Sequence, residues 1–462
     1  MATPSITFLG ATETVTGSRF LVSSGDEHIL VDCGLYQGSK EIQAKNREPF
    51  AVDPRSLTAI VLTHAHLDHS GYVPLLVRQG FQGKIITTKY TEPLLAVVLR
   101  DSAKLQEEDA YFAAKKGYSK HKNPEPLYRL PDVESALTYV HAFSYRQQFK
   151  VGENFVATFY PSGHILGSAF LLLSCGDKNI LFTSDMGRDN HPLLAPPDVP
   201  PQVELDAIVT ESTYGDRLHE SISGEFAREI NAAINRGGSV IIPAFAIDRT
   251  EVILMALRAL IDKEEIPAIP IYVDSPMAVA ALVEYRKAVR EGDAGIREGV
   301  SRQWSNLDPF DPGTLTNVTT TEHSKSLNEL TEPHIIISAS GMATGGRVVH
   351  HLKRALPDPK NTILLVGYQA QGSRGRALED GLPRIKIHGE WVDVRAHIAK
   401  VESFSVHADS EELLRWLKKC KKPRKIFVIH GEREAQQSFK EKLHSQLGWN
   451  AIIPHINQSF DI

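Results

Sequence analysis

Residues 58–70 read Thr58-Ala59-Ile60-Val61-Leu62-Thr63-His64-Ala65-His66-Leu67-Asp68-His69-Ser70, an apolar run closed by three imidazoles and a carboxylate. Thr58 to Leu62 has the composition of a short buried strand, and the polar cluster follows where such a strand ends. Alternate positions on an extended segment face the same way, so His64 and His66 can grip one ion together. A turn after them aims Asp68 and His69 at a second ion beside the first. Imidazole with carboxylate suits zinc, with manganese or iron as alternatives. A lone histidine here would be most simply a surface residue. Three with an aspartate, directly after an apolar strand, point to metal.

The same logic recurs elsewhere in the chain. Ile6-Thr7-Phe8-Leu9, Ser18–Val22 and His28–Val31, punctuated by Gly10 and Ser24-Gly25-Asp26, read as an antiparallel meander ending in Asp32-Cys33-Gly34. Alone, Asp32 is a turn former or helix cap; beside a metal cluster it is better placed to hold a histidine or the metal-bound water. Phe155–Phe159 leads to Pro161-Ser162-Gly163-His164, and Asn179–Thr183 leads to Ser184-Asp185-Met186-Gly187. Lys425–Ile429 leads to His430-Gly431-Glu432. Each strand delivers a metal-ligand residue type at a Gly-containing turn, and strand ends along one sheet edge converge. Helices are expected from Val73, over 91–117 and over 433–446. His121 and His141 have no ligand-like neighbours and read as structural or exposed.

After the strand Asp206–Thr210, which ends in Glu211-Ser212-Thr213-Tyr214-Gly215, the texture becomes alternating helix and strand. Helices near 223–235, 250–262 and 277–291 alternate with strands at 239–243, 269–273 and 334–338, which argues a mainly parallel, Rossmann-like sheet. Its strand ends are rich in glycine and hydroxyls: Ser338-Ala339-Ser340-Gly341-Met342-Ala343-Thr344-Gly345-Gly346-Arg347, and Gly367 through Arg374-Gly375. Such loops suit phosphate groups. The plain alternative is a pair of tight loops at sheet ends. Neither has a P-loop ending or a GxGxxG fingerprint, so a nucleotide cofactor is the weaker reading. A strand over 398–404 then leads to Ser405-Val406-His407-Ala408-Asp409.

The chain has 462 residues, room for two or three domains, and a net charge of −5 that by itself points to no nucleic-acid partner. Cys33, Cys175 and Cys420 lack CxxC spacing and read as core thiols of a reducing compartment. No secretory signal is visible at the N-terminus, and no apolar run approaches the roughly eighteen residues of a membrane span. A cytoplasmic protein without membrane contact is expected.

Assembled in order, these residues resemble the metallo-β-lactamase superfamily, and within it the β-CASP nucleases. The likeness runs nearly end to end, and is strongest to compact relatives of the nuclease subunit of the cleavage and polyadenylation specificity factor. Asp32 matches the first motif, His64, His66, Asp68 and His69 the second, His164 the third and Asp185 the fourth. Glu211 matches motif A, His407 motif B and His430 motif C; a histidine in motif B points to RNA rather than DNA enzymes. A KH module before the first strand and a further domain after His430 are not expected.

The resemblance implies an αββα sandwich with an inserted Rossmann-like β-CASP domain. The metal domain is expected over 1–213 and 400–462, the insert over 214–399, and the active site in the cleft between them. It implies two zinc ions per chain, Mn2+ or Fe2+ being alternatives. One is expected on His64, His66 and His164, the other on Asp68, His69 and His430, with Asp185 bridging. Asp32, Asp68, Glu211 and His407 are the expected catalytic set, His407 as general acid and Glu211 as its support. Ser340, Gly341, Gly345, Gly346, Arg347 and Arg374 are expected to bind RNA phosphates. The expected activity is hydrolysis of single-stranded RNA at internal sites. Alternatives are 5′-3′ exonuclease action, a small-ester or lactam hydrolase, or a non-catalytic RNA-binding subunit. A homodimer fits family habit.

Overall fold

The computed structural model describes residues 3–116, 124–219, 224–304, 307–401 and 404–462. Two compact units emerge: one from the N-terminus to Leu218 together with His407–Ile462, the other His219–Val406. The break falls after Val406 because the strand His397–Lys400 pairs in parallel with Thr362–Leu365 of the second unit. The boundary expected from sequence, between 399 and 400, falls inside this strand, whose own residues say nothing about which sheet it joins.

The first unit contains two seven-stranded sheets. One runs Ser459–Asp461, Ser5–Phe8, Phe20–Ser24, Glu27–Val31, Ala59–Val61, Lys84–Thr88, Val140–Phe143 across the sheet. Its first three N-terminal strands form the expected antiparallel meander, and Glu27–Val31 then pairs in parallel with Ala59–Val61. The other runs Ala451–Ile452, Lys425–Val428, Ala207–Thr210, Lys178–Phe182, Ala169–Cys175, Phe155–Pro161, Gln148–Lys150. Period-2 alternation turns Ile6, Phe8, Phe20 and Val22 of one sheet toward Phe155, Phe159, Leu171 and Phe182 of the other. The Phe8 and Phe427 rings lie 5.0 Å apart. Each such fully buried ring contributes about 1.5–3 kcal/mol.

Helices cover the outer faces. Val73–Arg78, Thr91–Lys116 and Leu130–Leu137 pack by the first sheet; Ser410–Leu417 and Arg433–Leu447 close an apolar layer with Leu181, Ile208 and Ile426 on the second. The result is the expected αββα sandwich. Val73–Arg78 carries Pro74 in its first turn, where no amide hydrogen bond is lost. His141 is exposed on an edge strand, and His121 lies outside the described residues. All three cysteines are buried thiols.

The second unit is built on a six-stranded, all-parallel sheet. Its order is Leu315–Asn317, Ile271–Val273, Ile335–Ala339, Val240–Ala244, Thr362–Leu365, His397–Lys400. Crossover helices include Arg249–Asp262, Pro276–Glu291 and Arg347–Ala355. The strands read as continuous apolar runs because both faces are covered.

Candidate metal centre

Every expected metal ligand sits just beyond the C-terminal end of a strand. Lys178–Phe182, Ala207–Thr210 and Lys425–Val428 are parallel neighbours, with Phe182 beside Val209 and Thr210 beside Val428. Asp185, Glu211 and His430 therefore leave the sheet at one edge. Phe155–Pro161 is antiparallel to Ala169–Cys175, itself antiparallel to Lys178–Phe182, so His164 emerges at the same edge. From the other sheet come Asp32 and the 64–69 segment. His64 and His66 lie between the strand Ala59–Val61 and the single helical turn Leu67–Ser70, which carries Asp68 and His69. Asp32 and His430 have φ of +57° and +51°, a left-handed backbone unusual for side-chain-bearing residues. Such conformations persist where surrounding structure enforces them.

Close backbone approach binds these loops together. A Cβ on Gly34 would stand 1.6 Å from the Asp68 carbonyl, and one on Gly187 would stand 1.9 Å from the Gly163 carbonyl. Only glycine fits either place. The Ser18 amide donates to the Asp68 carbonyl at 2.8 Å and the Cys33 amide to the His69 carbonyl at 2.7 Å.

Two donor sets result, His64, His66, His164 and Asp185 in one and Asp68, His69 and His430 in the other, and Asp185 also approaches His69 of the second. In the first, His164 Nε2 lies 3.2 Å from His66 Nδ1, and His64 Nε2 and His164 Nε2 each lie 3.6 Å from Asp185 Oδ2. In the second, His69 Nε2 lies 3.2 Å from His430 Nε2 and 3.3 Å from Asp185 Oδ1, and His430 Nε2 lies 3.4 Å from Asp68 Oδ2. Zinc bonds of about 2.0–2.1 Å in a tetrahedron demand donor separations of about 3.3–3.4 Å. Buried His64 Nε2 has no hydrogen-bond partner, a costly state that a bound cation relieves. The residues fit a divalent metal.

Proton bookkeeping supports the fit. Asp32 Oδ2 accepts from His69 Nδ1 at 2.8 Å, which turns Nε2 toward the donor set. Asp32 also accepts from the Thr63 amide and hydroxyl, at 2.9 and 3.0 Å. Burial holds His64 well below its ordinary pKa and brings His66 down to about 4, so both offer neutral lone pairs. Burial also opposes the charged form of His69, yet Asp185 and Asp32 overcome it and raise that group well above the ordinary histidine value. A metal must displace this proton.

Beside the donor sets, His407 Nδ1 donates to Glu211 Oε2 at 3.3 Å, and His407 Nε2 is 4.0 Å from Asp185 Oδ2. Burial works against the imidazolium of His407, but the Glu211 carboxylate outweighs it and the pKa is raised. Glu211 is fully buried; its Oε1 accepts from the Met186 amide at 2.5 Å. Thr213, which sequence reasoning passed over, bridges Glu211 and His430; a hydroxyl two residues from a candidate catalytic carboxylate was the available signal.

The loops expected to hold phosphate belong to the second unit. Ser340 Oγ and Thr344 Oγ1 are 2.9 Å apart, Gly341 packs against the Phe245 ring, and the space around the Cα of Gly345 is open. Gly346 has φ +72°. The Arg347 guanidinium donates to Asp274 Oδ1 at 2.7 Å and to the Val318 and Thr319 carbonyls at 3.1 and 2.9 Å. Arg374 donates to the Lys386 and Thr344 carbonyls, both at 2.8 Å. Both arginines brace their own fold.

Comparison with known proteins agrees with this geometry. The chain matches the metallo-beta-lactamase superfamily over residues 15–244 and the Beta-Casp domain over 250–378. Residues 391–454 match the Zn-dependent metallo-hydrolase RNA specificity domain. It is 36% identical to Ribonuclease TTHA0252 of Thermus thermophilus over 429 residues, 92% of either chain. It is 32% identical to an RNase J-like protein of Methanocaldococcus jannaschii over 452 residues, 97% of either chain. Against the transcription termination factor FttA of Thermococcus kodakarensis, identity is 31% over 97% of this chain and 70% of that one. A protein of unknown function from Enterococcus faecalis V583 shares the fold at TM-score 0.53 and 14% identity, over the whole of both chains. With its motifs in order, its two donor sets formed and these relatives matched nearly end to end, the chain belongs to the β-CASP branch of the metallo-β-lactamase superfamily.

Proposed function

We propose that this protein is a zinc-dependent ribonuclease that hydrolyses internal phosphodiester bonds of single-stranded RNA, with two zinc ions per chain. The observation that carries the reading is the Glu211–His407 pair beside two donor sets sharing Asp185. Ribonuclease TTHA0252 and the RNase J-like protein carry RNA cleavage in their names, and the RNA specificity match covers the segment containing His407 and His430.

His64, His66 and His164 would hold one ion and Asp68, His69 and His430 the other, with Asp185 shared. When bound, two such ions acidify water and neutralise charge on a transferring phosphoryl group. The chain's own residues supply the remainder. His407, kept protonated by Glu211, delivers its proton to the oxygen leaving phosphorus. Asp32 keeps His69 turned toward the donor set. In the second unit, Ser340, Gly341, Gly345 and Gly346 supply hydroxyl and backbone contacts for RNA phosphates, with Arg347 and Arg374 holding that loop in shape. Buried free thiols suit the reducing cytoplasm. Among the described residues no helix is long and apolar enough to cross a membrane.

The test is incubation of purified, metal-quantified protein with a long RNA labelled at either end, beside single-stranded DNA and a His407→Ala variant. Internal fragments from RNA alone, about two zincs per chain, and a fall in rate of about 10²–10⁴-fold in the variant are expected. Stepwise mononucleotide release makes the enzyme an exonuclease. No cleavage at full zinc occupancy overturns the reading in favour of a non-catalytic RNA-binding subunit or a small-ester hydrolase. Light scattering of the same sample tests the homodimer.

A further inference from the structure

We propose that Thr213 is a positioning residue whose single hydroxyl couples the second metal-ligand set to His407. Thr213 Oγ1 lies 2.6 Å from Glu211 Oε2, 3.1 Å from His430 Nδ1 and 3.3 Å from the His430 carbonyl. A hydroxyl has one proton to give and two lone pairs to offer. The shortest contact is to a buried carboxylate, where a charge-assisted hydrogen bond is strongest, so the proton goes to Glu211. The oxygen then accepts from His430 Nδ1–H. That assignment leaves His430 Nε2 unprotonated, and this is the atom 3.2 Å from His69 Nε2 and 3.4 Å from Asp68 Oδ2. At the other end, Glu211 Oε2 takes one proton from Thr213 and one from His407 Nδ1 at 3.3 Å.

A continuous chain thus links His430, Thr213, Glu211 and His407, its donors pointing from both ends toward the Glu211 carboxylate. If His430 carried its proton on Nε2, it could not bind metal through that atom, and Nδ1 would compete with Glu211 for the Thr213 proton. Binding at the second set and orientation of His407 therefore favour the same arrangement. The surrounding turn is rigid: the Ser212 amide donates to the His430 carbonyl at 3.2 Å and the Ser212 hydroxyl to the Ile429 carbonyl at 2.9 Å. Removing the Thr213 hydroxyl takes away the link while these contacts keep the turn.

The part played by His407 rests on the ribonuclease reading; the link to the metal set does not. Thr213→Val removes the hydroxyl and keeps the shape, Thr213→Ser keeps the hydroxyl, and Thr213→Ala is a second removal variant should valine disturb folding. Metal-free proteins are titrated with zinc against a chromophoric chelator, and pH–rate profiles on RNA are compared with that of Glu211→Gln. Expected is a loss of about 10–100-fold in affinity for one of two zinc equivalents in the valine variant. Its pH–rate profile shifts in the direction seen for Glu211→Gln, and serine restores both. Wild-type zinc affinity in a folded valine or alanine variant overturns the proposal. So does a serine variant as impaired as valine, since the methyl group would then be what matters. If wild-type protein takes up zinc but cuts no RNA, the ribonuclease reading fails while the zinc titration still decides the coupling.

Discussion

Asp32 shows how a carboxylate outside the donor sets can govern them. It is buried and accepts from the Thr63 amide, the Thr63 hydroxyl and His69 Nδ1, so it holds the cluster's two edges in register. Asp32→Ala is expected to weaken zinc binding about 10–100-fold without unfolding the sandwich, read by chelator competition with circular dichroism as the control. The raised pKa of His69 fixes the sign of the pH dependence. Near neutrality metal-free protein carries a proton on His69 that zinc must expel, so affinity rises with pH and binding releases protons. Calorimetry in two buffers of different ionisation enthalpy measures that release.

At the scale of elements, the helix Arg249–Asp262 carries an electrostatic load unconnected with the metal ligands. Asp248 caps it with φ +68°, and Glu251, three residues on, is fully buried. Burial, then the neighbouring Asp248 carboxylate, pushes the Glu251 carboxyl well above its ordinary value. A group whose pKa is raised on folding contributes stability below its unfolded pKa and loses it as pH climbs through the folded one. The second unit is therefore expected to lose stability above about pH 4.3, by up to about 1.4 kcal/mol per pH unit, until Glu251 ionises in the folded state. Glu251→Gln should flatten that slope, measured as urea midpoints at pH 5 and 8. An unchanged slope would show that other groups carry it.

For the molecule as a whole, candidate ligands drawn from both ends of the first unit would make a bound metal part of its stability. His64 and His430 are separated by the entire second unit in sequence, yet their loops share one donor cluster. Metal that binds only the folded state stabilises by mass action, about 2.7 kcal/mol when free ion is a hundred times Kd. Chelation is expected to lower the melting temperature of the first unit by roughly 5–10 °C and to leave that of the second in place. Differential scanning calorimetry with and without chelator tests this, and a parallel fall of both transitions would contradict it.

The sequence by itself determined the candidate ligand residues and their order, because each follows an apolar strand and strand ends are local patterns. It also showed the change from meander to alternating helix and strand after Glu211. The short strands Lys84–Thr88, Val140–Phe143 and Gln148–Lys150 and the helix Leu130–Leu137 went unread, being brief and weakly patterned. Only the tertiary structure decided that His66 faces His164 through Nδ1 while His64 uses Nε2, and that Asp274 takes the Arg347 guanidinium. It alone joined His397–Lys400 to the second sheet and put one threonine hydroxyl between Glu211 and His430. Apart from the Thr213–Glu211 contact, those outcomes depend on hydrogen bonds between residues far apart in the chain, so no local window contains both partners. Composition and periodicity specify which groups reach the sheet edge; packing chooses the atom each one presents.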